Sequence, residues 1–298
     1  MKHIPVLLKE SIEALNIKPD GIYVDLTLGR AGHSKEILKK LTKGHLYCFD
    51  KDQQAIDESY EILQKISPNF TLIKSDFGQM ASELEKRGVT RVDGILADLG
   101  ISSPQIDDAE RGFSYSKDAK LDMRMDKSQE ISAFDIVNKT SEAQLLRILQ
   151  KNADVKLANK VAKAICNNRL INTTLELCEV IKNAYPAAIL RQKNPYRAIF
   201  QAIRIEVNNE FESIKQMLPQ ATKILSQNGR LAIISFHSLE DRIIKKFFTS
   251  LKINSDTYKL PVQIDEKYRF KKVVVTEAEA EQNYRSRSAT LRILEKLG

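Results

Sequence analysis

The sequence predicts an α/β protein: a doubly wound, mostly parallel sheet interrupted by a helical insertion. Three observations carry this reading. Short β-branched runs alternate with amphipathic stretches over residues 21–99. The alternation then stops, and residues 107–204 hold helical patterns with few strand candidates. Strand character returns at residues 229–236 and again near the end. Strands that alternate with helices pair in parallel through right-handed crossovers, so the first and last parts form one sheet. The expected organisation is a discontinuous sheet domain, residues 1–106 and 205–298, and an inserted helical domain, residues 107–204.

Taken in order, the first strand is the run Gly21–Leu28, bounded by Pro19-Asp20-Gly21 and by Gly29, which is turn chemistry. Residues 33–41 carry Ile37, Leu38 and Leu41 at helical spacing. His45–Asp50 is the second strand, and Ala55, Ile56, Tyr60, Leu63 and Ile66 mark an amphipathic helix over 53–66. Phe70–Lys74 is the third strand, 79–87 a short helix and Asp93–Leu99 the fourth strand. In the insertion, Ser141–Lys151, Val155–Asn167 and Thr174–Ala184 read as helices, the last capped by Thr173 or Thr174. A further helix runs from Arg197 to about Met217, with Pro219 at a break. The fifth strand is Gly229–Phe236, followed by a helix over Leu239–Leu251 and strands at Phe270–Val275 and Ala289–Leu294.

Composition excludes several classes. A hydrophobic fraction of 42% and a charged fraction of 29% are those of a folded protein, and 11 Gly without a repeat exclude collagen. There is no run of eighteen apolar residues and no signal-peptide core at Met1-Lys2-His3-Ile4-Pro5, so a cytoplasmic protein is expected. Cys48, Cys166 and Cys178 lack metal spacing and read as reduced thiols; the four scattered histidines argue against a metal site. The 47 Lys and Arg exceed the 39 Asp and Glu, a net +8 with pI near 9.2. The positive residues are spread over the chain, as suits a surface that receives a folded partner, and the charge alone is compatible with nucleic acid without requiring it. Monomer and homodimer are both open.

Ligands of such sheets sit beyond the carboxyl ends of the strands. Past the first strand lies Asp25-Leu26-Thr27-Leu28-Gly29-Arg30-Ala31-Gly32-His33, a small-residue turn into a helix. The second strand ends in Asp50, placed to accept ribose hydroxyls, although an Asp there can also cap the next helix. The third ends at Asp76-Phe77, an acid for an adenine amino group and a ring to cover it. The fourth ends in Asp98-Leu99-Gly100. Only part of a Gly-x-Gly-x-x-Gly pattern is present, and Asp25, Asp50, Asp76 and Asp98 would repel a pyrophosphate. The same ring of acids suits the cationic sulfonium of S-adenosylmethionine.

Several motifs then carry a resemblance. They are His3-x-Pro5-Val6-Leu7-Leu8-x-Glu10, Asp25-x-Thr27-x-Gly29-Arg30-x-Gly32-His33-Ser34 and Asp98-Leu99-Gly100-Ile101-Ser102-Ser103-Pro104-Gln105. They continue with Asp107–Ser114, Leu121-Asp122-Met123-Arg124-Met125-Asp126, Phe200–Ile205, Ser235–Arg242 and Arg285–Ser288. In this order, over almost the whole chain, they resemble the RsmH (MraW) family. The resemblance implies a Rossmann-like, S-adenosylmethionine-dependent methyltransferase sheet with an inserted substrate-recognition domain. It implies N4-methylation of one cytidine, position 1402 by the family's count, of 16S rRNA at the decoding centre of the small ribosomal subunit. It also implies cofactor contacts at Ala31, Gly32, His33, Asp50, Phe77, Asp98 and Gln105.

The chain departs from the family pattern at three places. Ala31 stands where the family shows glycine; alanine keeps the N–H but takes a positive φ at a cost. Asn194-Pro195-Tyr196-Arg197 displaces an arginine by one residue, about 100° around a helix. Asn152-Ala153-Asp154 replaces Gly-Glu.

An exocyclic cytosine amine is a poor nucleophile facing an activated methyl donor. The enzyme must align it and stabilise positive charge growing on N4. Acceptors at the fourth strand end answer this, so Asp98 and Ser102 are the expected catalytic residues, with His237 facing the pocket from the fifth strand. Arg111, Arg124, Arg204, Arg285 and Arg287 are candidate phosphate contacts, and Phe113 or Tyr115 a candidate stacking partner for an extruded base. A DNA amino methyltransferase and a non-catalytic ribosome-assembly factor are the competing classes.

Overall fold

A computed structural model describes residues 5–192, 194–253 and 267–297. The chain forms two compact units, Met1–Gly100 with Phe211–Gly298, and Ile101–Glu210. The first unit opens with α1 (Leu8–Leu15), β1 (Ile22–Asp25), α2 (Gly32–Leu38), β2 (His45–Asp50), α3 (Gln53–Leu63), β3 (Phe70–Lys74), α4 (Met80–Glu85) and β4 (Val92–Asp98). The second unit carries α5 (Ser103–Asp107), α6 (Ala133–Lys139), α7 (Glu142–Ala153), α8 (Ala158–Asn167), α9 (Thr174–Ala184), α10 (Ala187–Gln192) and α11 (Pro195–Asn208). The chain returns to the first unit along α12 (Glu210–Ile224), β5 (Leu225–Ser235), α13 (Ser238–Ile253), β6 (Tyr268–Val274), α14 (Glu277–Gln282) and β7 (Thr290–Lys296).

The described strands make one seven-stranded sheet in the order β3-β2-β1-β4-β5-β7-β6. The first five strands run parallel in doubly wound order, and β7 lies antiparallel between β5 and β6. The order reverses between β1 and β4, so their carboxyl ends, Asp25 and Asp98, stand at the switch point. The interiors of the inner strands are buried on both faces: Val24, Leu46, Leu96, Ala232 and Ile234 are fully enclosed, as parallel sheets require. α1 was not foreseen. Its Ser11 and Leu15 face inward with Leu7, and its outer side carries Lys9 and Glu13.

The insertion has its own core, built from Leu145, Leu149, Val161, Ile165, Leu177, Ile181 and Ile203 among others. Thr173 caps α9, accepting from the Glu176 N–H at 3.3 Å. Asn152, buried on α7, donates to Ala202 O at 3.2 Å and to Glu206 Oε2 at 2.8 Å, fastening α7 to α11. The helix expected over Arg197–Met217 is in fact two. Asn209 adopts φ +53 and ends α11, and α12 starts at once. Pro219 lies inside α12 and does not break it. The unit boundaries fall at Gly100 and Glu210, a few residues outside 107 and 204. Two local features account for this: the Ser102–Gln105 turn opens α5, and Glu210 pairs with Arg204.

Candidate active site

The turn after β1 is built from the backbone outward. Gly29 takes φ +48, in the left-handed region that favours glycine, and its N–H donates to Asp50 Oδ2 at 2.9 Å. Asp50 Oδ1 accepts from the Asp52 N–H at 2.9 Å, while Asp52 itself caps α3. Asp50 therefore ties the glycine turn to the next helix. Each of its oxygens receives one backbone donor there and keeps a further lone pair. Burial pushes its pKa up to about 6 against the pull of these hydrogen bonds. Ala31 adopts φ +55, the conformation its family glycine would take freely, and its N–H is engaged by Leu28 O at 2.8 Å. Gly32 has no room for a side chain, because a Cβ would come within 2.4 Å of the Pro5 ring.

Asp25, at the end of β1, is fully enclosed and accepts from Ser34 Oγ at 2.6 Å and from the Thr27 N–H at 3.1 Å. Burial raises its pKa, and these donors oppose the rise. Asp98, at the end of β4, is the contrasting case. Its backbone N–H donates to Thr27 Oγ1 at 2.6 Å, and Oδ2 lies 3.8 Å from His33 Nδ1. Its Oδ1 is buried and accepts no hydrogen bond. Burial, with the nearby charges of Asp25 and Glu240, holds its pKa well above the carboxylate range. An unpaired buried acceptor is costly in a native protein and is retained where a ligand completes it. His33 is buried, with Nε2 3.2 Å from Val6 O, so it supports the turn from within.

His237 begins α13 as its cap. Its Nδ1 accepts from the Glu240 N–H at 3.4 Å, which leaves Nε2 to carry the ring proton of a neutral imidazole; Nε2 is buried, 3.0 Å from Glu240 Oε1, and makes no hydrogen bond. Glu240 is only 1% exposed. Its Oε2 accepts from the N–H groups of Phe236 at 2.9 Å and His237 at 3.3 Å. The histidine and glutamate thus form a reciprocal cap of the Ser-x-x-Glu type. Neither Glu240 nor Thr27 was singled out by sequence reasoning. The His237-x-x-Glu240 spacing before an apolar helix is the signal that could have found the former.

Phe77 is half-buried at the start of a short helical turn after β3. Asp76 is largely engaged by the protein itself. Its Oδ1 caps that turn through the Gly78 N–H at 2.6 Å, and its Oδ2 accepts from Ser213 Oγ at 2.8 Å and pairs with Lys51. Ser102 and Gln105 lie in the other unit, where Gln105 Oε1 accepts the Ser102 N–H at 3.0 Å and steadies α5. The sheet unit itself brings together Ala31, Gly32, His33, Asp50 and Asp98 around the β1 and β4 ends, with His237 following β5.

Three of the five arginines expected on phosphates are internal. Arg111 is buried and donates to the carbonyls of Arg124 and Met125, both at 3.0 Å. Arg124 forms a two-pronged pair with Asp122, 2.8 Å on each arm, and donates to Gln129 O. Arg204 grips Glu210 in the same way at 2.8 Å. Each holds loops of the insertion in place and has little left for RNA. Arg285 and Arg287 are exposed, the latter over the Tyr284 ring at 4.3 Å. Phe113 belongs to the insertion core, and Tyr115 packs against Tyr196 and Phe200, so Phe113 cannot stack on a base and Tyr115 is largely committed.

Does the site fit the cofactor that its acids suggested? Asp50 keeps acceptor capacity for hydroxyls, and the unpaired Asp98 Oδ1 awaits a donor. Asp25 and Glu240 crowd Asp98 and disfavour its ionised form, and a cation beside the three acids would relieve that repulsion. The residues fit. Among the described residues no group of three His, Cys, Asp or Glu is placed to hold a metal, and no helix is long and apolar enough to cross a membrane.

Comparison with known proteins agrees with this chemistry. A relative from Mycoplasmopsis agalactiae, named Ribosomal RNA small subunit methyltransferase H, is 59% identical over 296 residues, covering 99% of each chain. One of the same name from Metamycoplasma arthritidis is 57% identical over 284 residues, 95% of this chain and 99% of its own. A third, from Mycoplasmopsis synoviae, is 51% identical over 295 residues, 99% of this chain and 98% of its own. The profile of the MraW methylase family matches residues 1–297. The chain belongs to the MraW methylase family, whose methyltransferases depend on S-adenosylmethionine.

Proposed function

We propose that this protein methylates N4 of the cytidine at position 1402 of 16S rRNA, at the decoding centre of the small ribosomal subunit. The names of its relatives support an rRNA substrate in that subunit. The observation that carries the amine chemistry is the buried, unpaired Asp98 Oδ1 at the switch point of the sheet. S-adenosylmethionine, when bound, supplies an activated methyl carbon. Asp50 takes the ribose hydroxyls on its remaining lone pairs, Phe77 covers the adenine, and the turn at Ala31, Gly32 and His33 admits the cofactor closely. Gln105 is the further cofactor residue that the family resemblance implies, and the insertion acts as the substrate-recognition domain.

Asp98 Oδ1 accepts a hydrogen of the target amine and so turns it towards the methyl group. Nitrogen gains positive charge as it is methylated, and a carboxylate beside it stabilises that charge. The methylated nitrogen must then lose a proton. A carboxyl whose pKa lies well above the ordinary range holds that proton better than an exposed aspartate would. Ser102 offers a second acceptor. His237 sets the loop after β5 and acts on the substrate side, through Nε2, more than as a base. The protein works in the cytoplasm, where the subunits are.

The test is single-turnover transfer of labelled methyl groups to small subunits that lack the modification, followed by nucleoside analysis. N4-methylcytidine at one site is expected. Transfer to duplex DNA instead, or binding to subunits without transfer, would favour a DNA enzyme or an assembly factor.

A further inference from the structure

The sheet unit carries a cationic surface that neither the strand-end site nor the insertion accounts for. Residues 242–253 hold Arg242, Lys245, Lys246 and Lys252 and no acid, and on β6 Lys272 alternates to the same face as Phe270, whereas Arg269, on the other face, pairs with Glu295. Arg242, Lys245, Lys246 and Lys252 recur on the exposed side of α13, whose inner side presents Ile244 and Phe248 to the core. Lys272, on β6, joins them. It is exposed, pairs in register with Arg292 and acts with Lys245 on the charge of Asp241. Asp241 is already held by Arg292 through a two-pronged pair, 2.8 Å on the Nη2 arm. Lys252 lies over the Phe270 ring at 5.0 Å.

Two ordinary explanations fall short. Lysines on an edge strand keep sheets from pairing with one another, and β6 is the outermost strand. That accounts for Lys271 and Lys272 but not for α13, which has no open edge. A solvated helix face usually alternates signs, because like charges three or four residues apart repel by a few tenths of a kcal/mol. Here Arg242, Lys245 and Lys246 stand together with no acid between them. Among the described residues no exposed large apolar side chain lies on α13, and Val274 alone stands exposed on β6, so the face lacks the apolar centre of a protein interface.

We infer that α13 and the adjoining end of β6 bind the phosphate backbone of small-subunit rRNA. By helical rise the stripe from Arg242 to Lys252 extends about 15 Å. It starts one turn beyond the His237–Glu240 cap, so RNA lying along it leads to the end of β5 beside Asp98. Point charges on flexible stems neutralise phosphates without reading bases, and sequence choice is left to the active site. This inference rests on the rRNA reading above.

The test is the variant Lys245→Ala/Lys246→Ala/Lys272→Ala. Alanine keeps the helix. Binding to small subunits is measured between 50 and 200 mM salt, with naked 16S transcript as competitor. Each lost phosphate contact removes about 0.7–0.9 from the slope of log affinity against log salt. The variant is expected to be shallower by about 2, with KM for subunits raised about tenfold or more. Cofactor affinity and turnover at saturation stay at wild-type values. Lys→Arg at the three positions restores the slope. An unchanged slope in a folded variant overturns the inference, as does failure of the naked transcript to compete, which would identify a protein partner. If the wild-type protein neither binds nor methylates subunits, the substrate reading itself fails. If it does both and the variant matches it, only this surface is wrong.

Discussion

The strand ends of the sheet and the loops of the insertion both carry charged residues, yet they use them in opposite ways. In the insertion, Arg111, Arg124 and Arg204 direct their guanidinium groups at internal carbonyls and carboxylates. In the sheet unit, Asp98 keeps a buried oxygen without a donor, close to two other acids. A satisfied charge holds structure, whereas an unsatisfied one stores free energy that a ligand can release. Both kinds sit in the sequence motifs that carry the family resemblance. Membership of a motif therefore does not separate function from architecture; the state of the hydrogen-bonding groups does.

This contrast predicts opposite signatures for substitution. Asp98→Asn should lower single-turnover methylation about a thousandfold, the scale for losing a charged group that acts on a transition state. The loss should persist at saturating cofactor if Asp98 acts on the amine. The same substitution should leave thermal stability unchanged or raise it, because the ionised carboxyl is disfavoured where it sits. A near wild-type rate would remove Asp98 from the chemistry. Arg204→Ala should do the reverse. It strands Glu210, whose side chain is only 8% exposed, and should cost about 3 kcal/mol of stability in denaturant melts. Activity per folded molecule should stay close to normal. A stable Arg204→Ala protein with weak subunit binding would show that this arginine faces RNA after all.

How far the sequence reveals the two regions follows from the same physics. The parallel strands were legible because β-branched runs ended in turn residues; His45–Asp50 and Phe70–Lys74 fall where expected. Strand ends are therefore also legible, and Asp50 and Asp98 with them. The partners of the arginines were not. Arg204 meets Glu210 because Asn209 reverses the chain between two helices, and one residue at φ +53 leaves almost no periodic trace. Asp76 looked like its fellow acids until Lys51 and Ser213 came beside it, the latter from 137 positions away. α1 is only eight residues long, so Leu7, Ser11 and Leu15, though at helical spacing, are too few to stand out as a helical period.

A smaller effect sharpens the picture of Asp50. Its raised pKa, about 6, means the folded protein holds the proton more tightly than the unfolded chain between roughly pH 4 and 6. Lowering the pH through 6 thus favours the free fold, opposite to a salt-bridged aspartate. Cofactor binding should run the other way, since ribose hydroxyls donate to the ionised form. Calorimetry should find affinity constant above about pH 7 and falling below 6, at most tenfold per pH unit. Asp50→Asn should bind more weakly throughout and lose that pH dependence. A wild-type profile flat from pH 5 to 8 would mean that Asp50 serves the turn alone.

The smallest expected effect concerns Ala31. A left-handed alanine costs about 1–2 kcal/mol relative to an ordinary conformation, and glycine would relieve most of it. Against this, Ala31 is fully buried in the sheet core, and its methyl contributes about 0.8 kcal/mol. Glycine also loses more backbone freedom on folding, about 0.5–1 kcal/mol. The opposing effects nearly cancel, so Ala31→Gly should shift Tm by less than about 3 °C. Cofactor affinity should stay within about twofold, since the Ala31 N–H is engaged with Leu28 O and the turn geometry is already the one glycine would take. Ala31→Val is the informative partner. A β-branched residue at φ +55 pays the strain in full and has no space, so it should lower both stability and cofactor affinity. If Ala31→Gly instead tightened cofactor binding tenfold, the turn would have to be strained away from its binding shape, and the fit argued from its geometry would be wrong.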